Sequence, residues 1–186
     1  MLVKDVLILA AEHLGRSDLV SAVASAYAAA PAAPTGEVAL LLNCYALVEN
    51  EVALDHLPLR AAETLESGDG TLEFIRFSRP PVDVLSVQDT YGEVAFEAFP
   101  ARLRLPGSGT YTVVYTYAPA APQIGGETAF SDKVSARLLS CGVACEFLLA
   151  AGRYAEAAVW EEKFRAALRA AGLSRRKLHV RARRWE

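Results

Sequence analysis

Glu49, Glu51, Asp55 and His56 form the densest group of potential metal ligands in the chain. Carboxylates with an imidazole suit a divalent cation. The spacing, Glu-x-Glu-x-x-x-Asp-His at the end of an apolar helical run, spreads the carboxylates over differing helix faces. It also lacks the second histidine of a helical zinc motif. That deficit favours a solvated helix end. His13 stands beside Glu12 near the end of the first helical run and reads as a helix-terminal residue. His179 lies among arginines, which would repel a cation. Cys141 and Cys145 are four apart in an apolar helical pattern, which suits two small buried side chains rather than a CxxC pair or a zinc knuckle. Cys44 reads as a core thiol. With 3 cysteines full intrachain pairing is impossible, and a reducing, intracellular site of synthesis follows.

No G-x-G-x-x-G, G-x-x-x-x-G-K-[ST] or G-x-S-x-G motif occurs. Gly107-Ser-Gly109 lies between strand patterns and reads as a hairpin turn. The sequence therefore predicts no catalytic residue, no cofactor and no metal. Tyr111, Tyr115 and Tyr117 would stack bases if they lay on an open sheet. Lysines and arginines are missing from their strand, so packing under a helix is the expected role.

The charge layout says more. Ser174 to Glu186 carries Arg175, Arg176, Lys177, Arg181, Arg183 and Arg184 against the single acid Glu186. That is a formal +5 on a chain whose total is −3, which leaves −8 on the body. Leu178, Val180 and Trp185 sit among the arginines. A basic, aromatic-ended arm after an acidic body predicts docking on another subunit or on nucleic acid.

Patterns of helix, strand and helix must position these groups. Val3, Val6, Leu7, Ala10 and Leu14 share one face of a first helix that Gly15 stops. Ser17-Asp18 is the expected cap of a second helix, with Ala22, Ala26 and Ala29 on a close-packing face. After Pro31–Pro34, Thr35 opens a third helix whose apolar face is Val38, Leu41, Leu42, Tyr45, Val48 and Val52, closed by Pro58. From Arg60 the period becomes two. Leu72, Phe74 and Arg76 alternate with Glu73, Ile75 and Phe77. Val82 to Val87 reads as a strand, Asp89–Gly92 as a turn, and Glu93 to Phe99 as the returning arm of a hairpin. Arg102 to Leu105 and Tyr111 to Tyr117 complete an antiparallel meander of about five strands. Ala118 to Gly126 is a linker. Ser131 is the expected cap of a buried helix carrying Val134, Leu138, Cys141, Cys145 and Leu148. A last amphipathic helix runs from Tyr154 to Gly172.

At 186 residues and 53 % hydrophobic content the chain can bury a core. No apolar run approaches the roughly 20 residues of a membrane span. The opening MLVKDVLILAAEHLG has a short apolar stretch flanked by Asp5 and Glu12, and fits a helix better than a signal peptide. The expected class is α+β: a helical bundle from N- and C-terminal helices with an inserted small antiparallel β-meander. Residues 1–59 supply the first helices, 60–118 the meander, 127–172 the last helices, and 173–186 the arm.

This order resembles the head–tail connector, or adaptor, proteins of tailed bacteriophages and prophages. The residues that carry the likeness are LLNCYALVENEVALDHLPL (Leu41 to Leu59), GTYTVVYTYAP (Gly109 to Pro119), and the helices from Ser131 to Leu168 followed by RRKLHVRARRW (Arg175 to Trp185). The resemblance implies a structural virion protein, made in the bacterial host cytoplasm and placed at the head–tail interface. It implies a homo-oligomeric ring of about twelve copies below the portal. The portal would be bound through Arg175, Arg176, Lys177, Arg181, Arg183, Arg184 and Trp185. A tail or stopper protein would meet the β-meander, and DNA would pass through the channel without sequence-specific binding. The competing expectation is a small nucleic-acid-binding protein that uses the same arm, although no recognition helix or aromatic-basic sheet is visible.

Overall fold

The computed structural model describes residues 1–130 and 133–173. The chain is α+β and divides into two compact units. One is helical and joins residues 1–49 to the described residues between 122 and 173. The other, Asn50–Ala121, is mostly β.

The helical unit begins with α1 (Val3–His13), which buries Val3, Val6, Leu7, Ala10 and Ala11 as the spacing predicts. Helix α2 (Ser17–Ala28) packs on α1 and buries only Leu19 and Val23. Its expected cap is corrected. Arg16, not Ser17, occupies the N-cap position and no side chain caps it. The Arg16 guanidinium instead bonds Asp18 at 2.6 Å and Glu37 at 2.7 Å, and its hydrogen bonds hold the Asp18 carboxyl down to about 2. Ala22 and Ala26 are half-buried and Ala29 is exposed, so the alanine face is only partly used.

Helix α3 (Gly36–Glu51) buries Val38, Leu41, Cys44, Tyr45, Val48 and Glu49. Helix α4 (Ala136–Ala150) is buried almost all round, as its two apolar faces require. Its cap is Ser135, whose Oγ accepts the Leu138 N–H at 3.2 Å; Ser131, the cap the sequence suggests, lies outside the described residues. Helix α5 (Tyr154–Ala170) buries Ala157, Phe164 and Leu168 and exposes its charged face. Helix α4 packs along both α1 and α5. At the contact of α3, α4 and α5, Gly142 leaves room for its neighbours. A Cβ there would lie 2.7 Å from Val48 Cγ1 and 3.2 Å from Phe164 Cδ2.

The segment before α4 is more than a linker. Ile124 and Phe130 are buried, and Leu2 pairs antiparallel with Glu127. The Val3 N–H donates to the Gly126 carbonyl and the Thr128 N–H to the Met1 carbonyl, both at 3.0 Å. Polar backbone this close to a core needs such partners.

In the second unit, a π-helical turn, Val52–His56, leads to Pro58. Six strands then form two antiparallel sheets rather than one consecutive meander. The first holds β1 (Leu59–Ser67), β6 (Gly109–Tyr117) and β3 (Pro81–Gln88), in the order β1-β6-β3. The second holds β2 (Thr71–Glu73), β5 (Arg102–Arg104) and β4 (Glu97–Phe99), in the order β2-β5-β4. The long strands β1 and β6 pair over their whole length, from Leu59 opposite Tyr117 to Ser67 opposite Gly109.

Several sequence expectations change here. The alternation through Phe74 and Arg76 does not extend β2, because Phe74–Arg76 is a 3-10 turn. The hairpin after β3 is partial. Val94 donates its N–H to Val87, but the chain then leaves and pairs as β4 with β5. The tyrosine row, expected to pack under a helix, packs instead within the β unit. Tyr111, Val113 and Tyr115 pack with Leu72, Phe77, Val87, Leu103 and Leu105, all within the β unit. At Gly70, where the β2–β5 pairing is extended by the Leu105 N–H donating to the Gly70 carbonyl, φ is +79° and a Cβ would lie 2.8 Å from the Leu105 carbonyl oxygen. Only glycine fits that backbone.

Gly142→Ala tests the helical packing. Helix propensity would favour alanine by about 1 kcal/mol. Overpacking against buried Val48 and Phe164 opposes this with about 1–3 kcal/mol. The expected net effect is destabilisation, measured by urea unfolding. The loss should shrink when Val48→Ala is added, so the two changes combine less than additively.

Candidate functional site

The acid-imidazole group does not converge on one point. Glu51 Oε1 lies 4.0 Å from His56 Nε2 across the π turn. Glu49 is instead buried in the helical unit, where Oε1 accepts the Tyr45 O–H at 2.6 Å and the Ala129 N–H at 2.7 Å. Burial and then this carboxylate push the Tyr45 phenol far above its ordinary value. Among the described residues no three His, Cys, Asp or Glu side chains are grouped to hold a metal ion. Cys44, Cys141 and Cys145 are buried. Burial raises the Cys44 thiol to about 11 and also raises that of Cys141, the opposite of an activated nucleophile.

The most connected polar group of the β unit was not singled out by motif reading. Glu63 of β1 accepts the Ser78 N–H at 3.0 Å, and also the Ser78 and Tyr115 hydroxyls. Arg79 lies 4.3 Å over the Tyr117 ring. Desolvation raises the Glu63 pKa, but the hydrogen bonds and Arg79 outweigh it, and the net direction is down. The sequence did carry a signal. Glu63 shares the half-buried phase of β1 with Ala61 and Leu65, so a carboxylate sits where an apolar residue is due. Every oxygen is engaged in holding β1, β6 and the Ser78 loop together, which is structural chemistry.

The remaining candidates are contact surfaces. In the β unit, Tyr91 is 97 % exposed at the tip of the Asp89–Gly92 turn and Ile75 is 88 % exposed on the 3-10 turn. The tip is ordered, because Asp89 Oδ1 accepts the N–H groups of Tyr91 at 2.7 Å and Gly92 at 2.9 Å. Val82 and Leu85 are exposed on β3, an edge strand with two register irregularities that blunt pairing with another chain. In the helical unit, Leu40 and Leu47, seven apart on α3, and Tyr154 and Val159 on α5 are exposed. Among the described residues no helix is long and apolar enough to cross a membrane. Arg175, Arg176, Lys177, Arg181, Arg183, Arg184 and Trp185, the residues the sequence marks for partner binding, lie outside the described residues.

Comparison with protein-family models finds no match, and comparison with curated proteins finds none either.

Glu63→Gln should cost about 1–2 kcal/mol at pH 7 by urea unfolding, as its accepted hydrogen bonds weaken. The folded pKa lies below the ordinary value, so the carboxylate contributes stability above the unfolded pKa. That contribution disappears as pH falls through the folded value. The gap between native and variant protein should therefore close at acid pH. A gap of constant size from pH 7 to pH 3 would contradict the assignment.

Proposed function

We propose that this chain is a structural head–tail connector of a tailed bacteriophage or prophage, forming a ring below the portal and extending the DNA channel. The observation that carries the reading is the chain's division of labour. Residues 1–49 and the described residues between 122 and 173 build one helical unit, and a β unit is inserted between them. Such a protein has separate surfaces for like neighbours and for a different partner. The order of elements agrees with the resemblance seen in the sequence.

In this reading the helical units stand side by side as the ring wall, with Leu40, Leu47, Tyr154 and Val159 available to neighbouring copies. The β unit offers Tyr91 and Ile75 to a tail or stopper protein. Aromatic and aliphatic side chains on ordered turns make good interface anchors. The body, formally −8 without the arm, suits a conduit through which DNA slides without sticking. The arm supplies six cations and Trp185 for an acidic groove on the portal. The protein would then reside at the head–tail interface of the virion.

Sedimentation of the purified protein across concentration and salt, alone and with duplex DNA, tests the class. A ring, or a monomer that assembles on portal rings, supports the connector. A monomer that binds DNA at low salt and ignores portal rings contradicts it and favours the nucleic-acid binder. Deleting residues 174–186 should leave the thermal midpoint within about 2 °C, since no described core residue is removed. The same deletion should abolish co-sedimentation with portal rings. Replacing the five arm arginines by lysine should weaken attachment while charge stays, because bidentate geometry is lost. Unfolding of the truncated protein, or unchanged attachment, would overturn this role for the arm.

A further inference from the structure

The helical unit holds a cleft of about 640 Å³ between the end of α1, the first turns of α4 and the outer half of α5. That volume lies in the range of small-molecule sites. Its walls carry His13, Ser135, Arg137, Cys141, Trp160 and Lys163, and alanines of α5 keep the rest of it open. The His13 ring stacks on Trp160 with centroids 4.6 Å apart and an interplanar angle of 31°. Lys163 Nζ stands 3.7 Å from the centroid of the same indole.

Two features bear on what this cleft could hold. The first is uncompensated positive charge. Arg16, Arg153 and Arg165 each bond a carboxylate. Arg137 and Lys163 have no carboxylate partner among the described residues, and both line the cleft. The second is an unmet hydrogen-bonding group. Among the described residues His13 Nε2 is buried and has no hydrogen-bond partner. Buried polar atoms are seldom left so, and His13 is among the residues that line the cleft.

We propose that this cleft binds a small molecule through an oxyanion, a phosphate, sulfate or carboxylate, held between Arg137 and Lys163 with its body against the His13–Trp160 wall. The electrostatics have a second consequence. Burial, then Lys163, and then Arg137 depress the His13 pKa, with Glu12 alone opposing them among its charged neighbours. An anion seated between the two cations cancels their field at the imidazole and so raises the proton affinity of His13, while burial, the largest cause, still lowers it. Linkage fixes the sign: the anion binds more tightly as pH falls.

The test uses the full-length chain carrying Trp185→Phe, which leaves Trp160 as the single tryptophan of the two in the sequence. Inorganic sulfate is the first probe, since it stays doubly charged across the pH range. Trp160 emission should change saturably with sulfate. Arg137→Gln and Lys163→Gln, both at exposed positions, should each weaken binding at least fivefold. Affinity should rise at least threefold from pH 7.5 to pH 5.5, and His13→Gln should flatten that dependence. Phenyl phosphate should bind at least tenfold more tightly than inorganic phosphate at pH 7.5 if the cleft receives a body as well as an ion. Absence of a saturable response overturns the proposal, as does unchanged affinity in the two glutamine variants. Equal affinity for the two phosphates overturns the claim that the cleft takes more than a bare ion.

Discussion

The helical unit depends on one buried carboxylate. Glu49 is 3 % exposed at the end of α3, and its Oε1 receives both the Tyr45 hydroxyl and the Ala129 amide. A carboxylate this deep is costly without donors, so the backbone at Ala129 must come to it. Fixing Ala129 fixes the strand-like segment before it. Met1, Leu2 and Val3 then pair with Gly126, Glu127 and Thr128. The beginning of the chain and the segment that follows the β unit are thereby joined by backbone hydrogen bonds. Close packing completes the closure, with α4 laid along α1 and Gly142 admitting Val48 and Phe164. The arrangement brings together parts of the chain that the whole β unit separates in sequence. Contacts of such separation form late and at an entropic cost, which a buried, fully engaged anchor helps offset.

Local periodicity made much of this legible. The buried faces of α1 and α3 and the all-round burial of α4 follow directly from the spacing of apolar residues. So do the Asp89–Gly92 turn and the alternation along β6. What stayed hidden is long-range. Sequence alternation identifies a strand but not its neighbour, so the pairing of β1 with β6 and the split into two sheets could not be read. The tyrosine row was recognised as a packing face, but its partners lie on strands whose positions depend on that pairing. The end of β2 was missed because Phe74 to Phe77 alternates while its backbone turns. Glu49 and Glu63 were misjudged or overlooked for one reason. A carboxylate at an inward position reads as solvated or accidental until its donors, 80 and 52 residues away, are known.

The same division bears on function. The sequence marks the arm by composition, while the described residues mark ordered contact points on each unit and one electropositive cleft. The three thiols are buried. The described residues present exposed aromatic and aliphatic groups on turns and an irregular edge strand, and the sequence carries charges of opposite sign on body and arm.

The central claim is that this chain adds a ring to a portal. Native mass spectrometry of the full-length chain mixed with assembled portal rings measures that most directly. The account predicts a discrete complex with one copy of the chain per portal subunit, about twelve of each. It also predicts that the complex is lost when salt screens the arm. Free portal rings beside unbound chain at low salt, or a ragged series of masses with no fixed ratio, would contradict it.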